Sequence, residues 1–248
     1  TSGKYMSAFF EKLLLEIKKT AELINETGVY IENIYVGGGT PTTLSSEQFE
    51  VLMKKLYDVF DLSKLIEFTV EAGRPDTINE EKLFILKKYG VNRISINPQS
   101  MNDKTLKKIG RSHSVEMIYD AYKTAKIIGF DVINMDLIAG LPDETVEEFK
   151  NSLNEVIKLN PENITVHSLC IKRAASFRHT ENELAKADDM NEMLSYTQKR
   201  MKDEGYIPYY MYRQKNSSGN LENVGYAKQG TMSTYNVNIM EEKQTIIA

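Results

Sequence analysis

The sequence predicts an α/β fold built on a parallel sheet, and three observations predict it. Short apolar runs alternate with longer segments of helical spacing, the helical segments are bounded by capping residues and glycines, and the chain opens on a helix with no strand before it.

That opening helix covers residues 7–27, with Phe10, Leu13, Leu14, Ile17, Ala21 and Ile24 on one face and Gly28 as its stop. Residues 31–36 form a short apolar strand. Ser45 and Gln48 make a capping box for a helix reaching about residue 60. Residues 66–71 read as a strand, 79–89 as a helix closed by Gly90, and 93–97 as a strand. A short helix at 103–109 precedes a longer one at 115–128 that ends at Gly129. A strand at 131–136, a helix at 145–159, a strand at 164–169 and a helix at 187–204 complete the alternation. Strands separated by helices of this length lie parallel, with right-handed crossovers. The unpaired first helix implies another strand and its loop upstream of Thr1. Six βα units make a partial barrel and fewer make an open doubly wound sheet; periodicity alone leaves both open. Beyond Gly205, tyrosine- and threonine-rich runs at 206–212, 235–239 and 245–247 read as antiparallel strands. They suggest a small accessory region at 206–248 attached to a core at 1–205.

Composition narrows the function. The 248 residues are 41% hydrophobic with a formal net charge of −4, enough for one large domain and without the basic face a nucleic-acid binder needs. No apolar run approaches the ~20 residues of a membrane span, and no signal peptide opens the chain. Cys170 is the only cysteine, which excludes an internal disulfide and points to the cytoplasm. A start at Thr1 and an end in Ile246-Ile247-Ala248 suggest an excerpt of a longer protein.

Position singles out the candidate site. Each expected strand runs at its C-terminal end into something a plain turn does not require: Gly37-Gly38-Gly39-Thr40-Pro41-Thr42, then Glu71, Gln99, Asp136 and Cys170. Parallel sheets bind ligands at that edge, because the loops there converge on one mouth. Glycines let the backbone approach a ligand, Glu71 and Asp136 can accept hydrogen bonds, and Arg111 can pair with a carboxylate. No Gly-Lys-Ser/Thr follows the glycines, so this is not a phosphate loop. His113, His167 and His179 lack metal-ligand spacing, with His167 expected to be packed or hydrogen-bonded, and Cys170 has no base near it to make it a nucleophile.

Several of these runs carry a family likeness. Tyr35-Val36-Gly37-Gly38-Gly39-Thr40-Pro41-Thr42 resembles the strand-two glycine motif of the oxygen-independent coproporphyrinogen oxidase branch of radical S-adenosylmethionine (SAM) enzymes. It is followed in the family's order by Thr69-Val70-Glu71-Ala72, Arg93-Ile94-Ser95-Ile96-Asn97-Pro98-Gln99, Ile109-Gly110-Arg111 and Asn134-Met135-Asp136-Leu137-Ile138-Ala139-Gly140-Leu141-Pro142. The tail around Tyr209-Tyr210-Met211-Tyr212-Arg213 and Gly219-Asn220-Leu221-Glu222 looks most like the HemZ-type subgroup.

The resemblance implies a partial (β/α)6 TIM-like barrel, truncated here before its first strand. It implies SAM contacts from Gly38, Gly39, Thr40, Glu71, Gln99, Arg111 and Asp136, and from the main chain at Cys170. It also implies a 4Fe-4S cluster on three cysteines upstream of Thr1, without which this stretch is expected to be inert. The implied reaction is oxidative decarboxylation of coproporphyrinogen III propionates to vinyl groups, with flavodoxin or ferredoxin as electron donor. Arg173, Arg213 and Lys215 are the nominated partners of the porphyrinogen carboxylates. The rival reading is a haem-binding chaperone of the same superfamily; a SAM-independent barrel enzyme fits the fold but leaves the ordered motifs unexplained. The run Arg173-Ala174-Ala175-Ser176-Phe177-Arg178-His179 reads awkwardly against such relatives.

Overall fold

Capping fixes most helix starts where the sequence places them. Ser45 accepts from the Gln48 amide while Gln48 reaches back to the Ser45 N–H, and Thr145 and Glu148 repeat the arrangement. In the computed structural model, which describes residues 5–169, 186–213 and 222–247, the elements follow in order α1 (Met6–Thr27), β1 (Asn33–Val36), α2 (Ser46–Val59), β2 (Glu67–Gly73), α3 (Glu80–Lys88), β3 (Arg93–Gln99), α4 (Asp103–Lys108) and α5 (Val115–Ile128). They continue as β4 (Val132–Ala139), α6 (Val146–Leu159), β5 (Asn163–Ser168), α7 (Ala187–Asp203), β6 (Ile207–Arg213), β7 (Glu222–Ala227) and α8 (Thr234–Met240).

One seven-stranded sheet runs β1-β2-β3-β4-β5-β7-β6. The first five strands are mutually parallel, and β7 pairs antiparallel with both β5 and β6. Strand order never reverses among the five, so there is no switch point, and the doubly wound alternative falls away. Helices pack neighbour to neighbour, α1 on α2, α2 on α3 and α3 on α5, with α6 on α7. The sheet curves as a half-barrel with helices outside.

Period-two alternation divides each strand between two environments. Phe68, Val70, Ile94, Ile96, Ile133, Met135, Leu137, Ile164 and Val166 are buried in the core that also holds Phe49, Met53, Leu83, Leu86, Ile118, Phe149 and Leu153 of the helices. Each such side chain contributes about 1.5–3 kcal/mol through its burial. The intervening residues are polar: Thr69 and Glu71, Ser95 and Asn97, Asn134 and Asp136, Thr165 and His167.

At the N-terminal ends of the strands this polar inner face is sealed. Glu67 and Arg93, both buried, stand 3.4 Å apart as an ion pair. Ser233 Oγ and the Thr234 N–H each donate to Glu67 at 2.8 Å. Arg93 donates to Asn163 Oδ1 at 2.9 Å and to the Thr231 carbonyl at 2.6 Å.

Residues 206–248, expected as an accessory region, continue the same sheet through β6 and β7. Their second tyrosine run is not a strand. Residues 235–239 lie in α8, where the Ser233 hydroxyl caps the Asn236 amide. Tyr235, Val237 and Ile239 alternate as in a strand, but the cap and tertiary contacts win: α8 packs against β1 and β6, the two outermost strands. Residues 245–247 form no strand either. Asp136 is mid-strand, since β4 continues to Ala139. Among the described residues no helix is long and apolar enough to cross a membrane.

Candidate functional site

The loop after β1 owes its glycines to two different demands. A Cβ on Gly37 would stand 2.4 Å from the Tyr35 ring and 3.0 Å from Glu71 Cδ, so bare backbone is needed there for packing. Gly38 and Gly39 hold φ of +83° and +84°, the left-handed region, and border open space. Thr40 follows, and buried Thr42 ties the loop to the end of β2 by donating to the Ala72 carbonyl at 2.7 Å.

Glu71 rises from β2 onto the inner face, where the Tyr35 hydroxyl donates to its Oε1 at 2.6 Å. Asp136 occupies the same face on β4. Its Oδ1 accepts from Asn134 Nδ2 at 2.7 Å, and its Oδ2 lies 3.7 Å from His167 Nε2. Asn134 is held in turn: its Nδ2 also donates to Ser95 Oγ at 2.9 Å, and Thr165 donates to its Oδ1 at 3.0 Å. Tyr212 completes this row, its hydroxyl 3.3 Å from His167 Nδ1.

The two carboxylates share one electrostatic enclosure. Burial, Glu71 and then Asp136 push the Tyr35 hydroxyl far above the usual phenol range; burial, Tyr209 and Asp136 do the same to Tyr210. These tyrosines therefore stay protonated, and Tyr35 donates to Glu71. A register shift between Pro208 and Tyr210 accompanies the approach of Tyr209 and Tyr210, whose rings meet edge to face at 4.8 Å.

Gln99 ends β3 beside Leu137, at the same end of the sheet as the glycine loop. It is a non-glycine residue at φ +70°, it is buried, and its Oε1 has no hydrogen-bond partner. Such a group costs about 1–3 kcal/mol unless something pairs with it. Next to it, Ser100 Oγ donates to Glu144 at 2.7 Å, and Glu144 Oε2 is likewise buried and unpaired.

Arg111 lies to one side of the carboxylates, in a cleft of roughly 260 Å³ lined by Ile109, Gly110, Ile138, Leu141, Pro142 and Leu169. Ile138 is two residues beyond Asp136 on the same strand face. The Arg111 loop is pinned on both sides: Arg74 donates to Ser112 at 3.1 Å, and His113 Nε2 is 3.3 Å from the Pro98 carbonyl. Burial and then neighbouring Arg74 lower the Arg111 pKa, and its guanidinium makes no hydrogen bond or ion pair among the described residues. A partly buried cation without a partner suits an anionic ligand group.

The structure thus gathers Glu71 and Asp136 on one face, with Gly38, Gly39 and Thr40, Gln99 and Arg111 around the same end. Cys170, Arg173 and Lys215 lie outside the described residues. Arg213 is not brought in. It follows inward-facing Tyr212 on β6, so it faces away, 57% exposed and paired with Glu222 at 2.8 Å. Sequence reasoning missed Tyr35, Asn134 and Tyr235, and undervalued His167. Two-residue alternation from Glu71 and Asp136 marks Asn134 and His167 as inward-facing; nothing in sequence brings Tyr235 to Tyr35.

These residues fit a polar, multifunctional ligand: acceptors at Glu71 and Asp136, an orphan amide oxygen at Gln99, and a cation at Arg111. They do not fit an iron–sulfur cluster. Among the described residues no three His, Cys, Asp or Glu side chains are grouped to hold a metal, and one cysteine cannot supply three thiolates.

Comparison with known proteins gives a concordant result. The family model described as the Radical SAM superfamily matches residues 4–156. The oxygen-independent coproporphyrinogen-III oxidase-like protein HemZ of Bacillus subtilis (strain 168) is 47% identical over 245 residues, 98% of this chain and 49% of that protein. The heme chaperone HemW of the same organism is 32% identical over 246 residues, 97% of this chain and 60% of that protein. Among solved structures, the coproporphyrinogen III oxidase HemN of Escherichia coli, described as a radical SAM enzyme, matches with a TM-score of 0.78 at 26% identity, over 97% of this chain and 52% of that one. The chain spans about half the length of the HemZ and HemN proteins it matches.

Proposed function

Because this chain belongs to the radical SAM superfamily, whose members use SAM and a 4Fe-4S cluster, we propose that it forms the SAM-binding half-barrel of an oxygen-independent coproporphyrinogen oxidase-type enzyme. The observation that carries this reading is the pairing of Glu71 and Asp136 on one inner face, each oriented by a donor of its own, Tyr35 and Asn134. The 47% identity with HemZ supports this branch.

In this reading the backbone of Gly38, Gly39 and Thr40 receives the methionyl end of SAM, while Glu71 and Asp136 accept hydrogen bonds from its hydroxyl and amino groups. Gln99 Oε1 gains the donor it lacks, and Arg111 pairs with a carboxylate. Cleaved by one electron from the donor, bound SAM would supply methionine and a 5′-deoxyadenosyl radical that takes a hydrogen atom from a propionate. The substrate radical would then lose carbon dioxide and pass one electron to an external acceptor to leave a vinyl group. The chain's own share is orientation and exclusion of water. Tyr35 and Tyr210 remain neutral beside two carboxylates, so they line the inner face without adding negative charge to it. The substrate of this reading is coproporphyrinogen III, and a small flavodoxin- or ferredoxin-type protein supplies the electron.

A second reading rests on the match to HemW, a heme chaperone that is 32% identical over 97% of this chain. One experiment separates the two. Full-length protein is incubated anaerobically with SAM, a reductant and coproporphyrinogen, and in parallel is titrated with haem. Formation of protoporphyrinogen with 5′-deoxyadenosine, abolished in D136N, is the expected result. Stoichiometric haem binding with coproporphyrinogen left intact would establish the chaperone instead.

A further inference from the structure

The residues that orient Glu71 reach outside the 4–156 segment matched by the family. The Tyr35 ring is held on two sides. Below it lies Gly37, whose missing side chain leaves the room: a Cβ there would fall 2.4 Å from Tyr35 Cε1. Above it lies Tyr235 of α8, stacked with ring centroids 4.3 Å apart and planes 17° from parallel. Among the described residues the Tyr235 hydroxyl makes no hydrogen bond, so its contact with Tyr35 is made by the ring. Tyr235 is itself located by anchors on either side of it in the chain. Thr234 Oγ1 donates to Asn33 at 2.6 Å, and Asn236 Nδ2 donates to the Tyr209 hydroxyl at 3.1 Å.

We infer that Tyr235 is a positioning residue for SAM: it holds the Tyr35 ring so that the Tyr35 hydroxyl fixes the Glu71 carboxylate. The 2.6 Å bond occupies one side of Oε1 and leaves Oε2 with no hydrogen-bond partner among the described residues. A carboxylate fixed in this way loses little rotational freedom when a ligand arrives, and the preorganisation appears as affinity. α8 therefore acts at a distance, coupling the C-terminal strands β6 and β7 to the ligand end of β2. Losing Tyr235 frees the ring to tilt. Losing the Tyr35 hydroxyl leaves the ring in place but the carboxylate unheld.

This inference rests on the SAM reading of Glu71, and the test separates the two. SAM affinity is measured by calorimetric titration of full-length protein without reductant, so that nothing turns over. E71A is expected to weaken binding about tenfold or more, and Y35F and Y235A about fivefold each, the scale of having to order one side chain on binding. Y235F keeps the stacked ring and is expected within about twofold of wild type, the change that a lost neutral surface hydroxyl allows. In an E71A background, Y235A should weaken binding no further. Unchanged affinity in E71A would remove Glu71 from the SAM site. Weakened binding in E71A with wild-type affinity in Y35F and Y235A would leave the site standing and end the role of Tyr235. An equal loss from Y235A with and without Glu71 would mean general loosening of the fold, which also overturns it.

Discussion

The two ends of the half-barrel use the same kinds of residue in opposite ways. At the N-terminal end, Glu67 and Arg93 are buried, paired as ions at 3.4 Å though Arg93 Nε itself makes no hydrogen bond, and supplied with further partners from Asn163, Thr231, Ser233 and Thr234. At the C-terminal end, Glu71 and Asp136 are each oriented by one donor, Gln99 Oε1 is unpaired, and Arg111 has no direct partner among the described residues. A buried charge whose partners are all in the chain serves structure. One held in place with capacity to spare awaits a ligand. Residue type does not separate the two ends; whether a buried charge meets its counter-charge does.

The sharpest way to break this comparison is to unpair the sealed end. Arg93→Met leaves the Glu67 carboxylate buried without its cation, which costs about 3–5 kcal/mol. Urea unfolding at neutral pH should show that loss, and E67Q added to R93M should recover much of it, because the stranded charge is then gone. SAM affinity of the folded protein should stay near wild type. A large loss of affinity with little loss of stability would mean that both ends belong to one site.

A smaller effect sharpens the same contrast from the ligand end. Burial pushes the Glu144 carboxyl from 4.5 up to about 7, against a lowering by its Ser100 hydrogen bond. A raised carboxyl pKa favours the neutral form in the folded protein. Stability from this group is therefore intact below about pH 4.5, falls as pH rises towards 7, and stays low above that, by about 3 kcal/mol in all. E144Q mimics the neutral acid and should flatten that part of the stability curve, leaving it more stable than wild type above pH 7. An unchanged slope would show that Glu144 is charged throughout.

How much of this was legible in sequence follows from what each signal depends on. The five parallel strands and their helices come from local periodicity and capping, so their order and most boundaries hold. The partial barrel came from resemblance, because curvature depends on helices packing along one side and no local pattern encodes it. Glu71 and Asp136 were visible as carboxylates at the C-terminal ends of expected strands. Tyr35 was read only as part of the glycine motif, and its hydrogen bond to Glu71 depends on the register of β1 against β2. Tyr235 was misplaced on a strand, since Tyr235, Val237 and Ile239 alternate and the cap from Ser233 was overlooked. Contacts between residues two hundred positions apart leave no trace in a single sequence.

Arg213 offers the mildest and most discriminating test. It stands at the C-terminal end of β6, towards the ligand end, and the sequence nominated it as a partner for substrate carboxylates. Its charge is already answered, however, by Glu222 at 2.8 Å, on the exposed face opposite Tyr212. If location decided function, R213Q would weaken porphyrinogen binding; if free capacity decides it, R213Q should be nearly silent. The expected change is under about 1 kcal/mol in stability, as for an exposed ion pair, with porphyrinogen affinity within about twofold in an anaerobic titration. R111Q, which removes the cation without a partner, should by contrast weaken ligand binding severalfold. A silent R111Q beside a damaging R213Q would reverse the rule drawn from the two ends of the barrel.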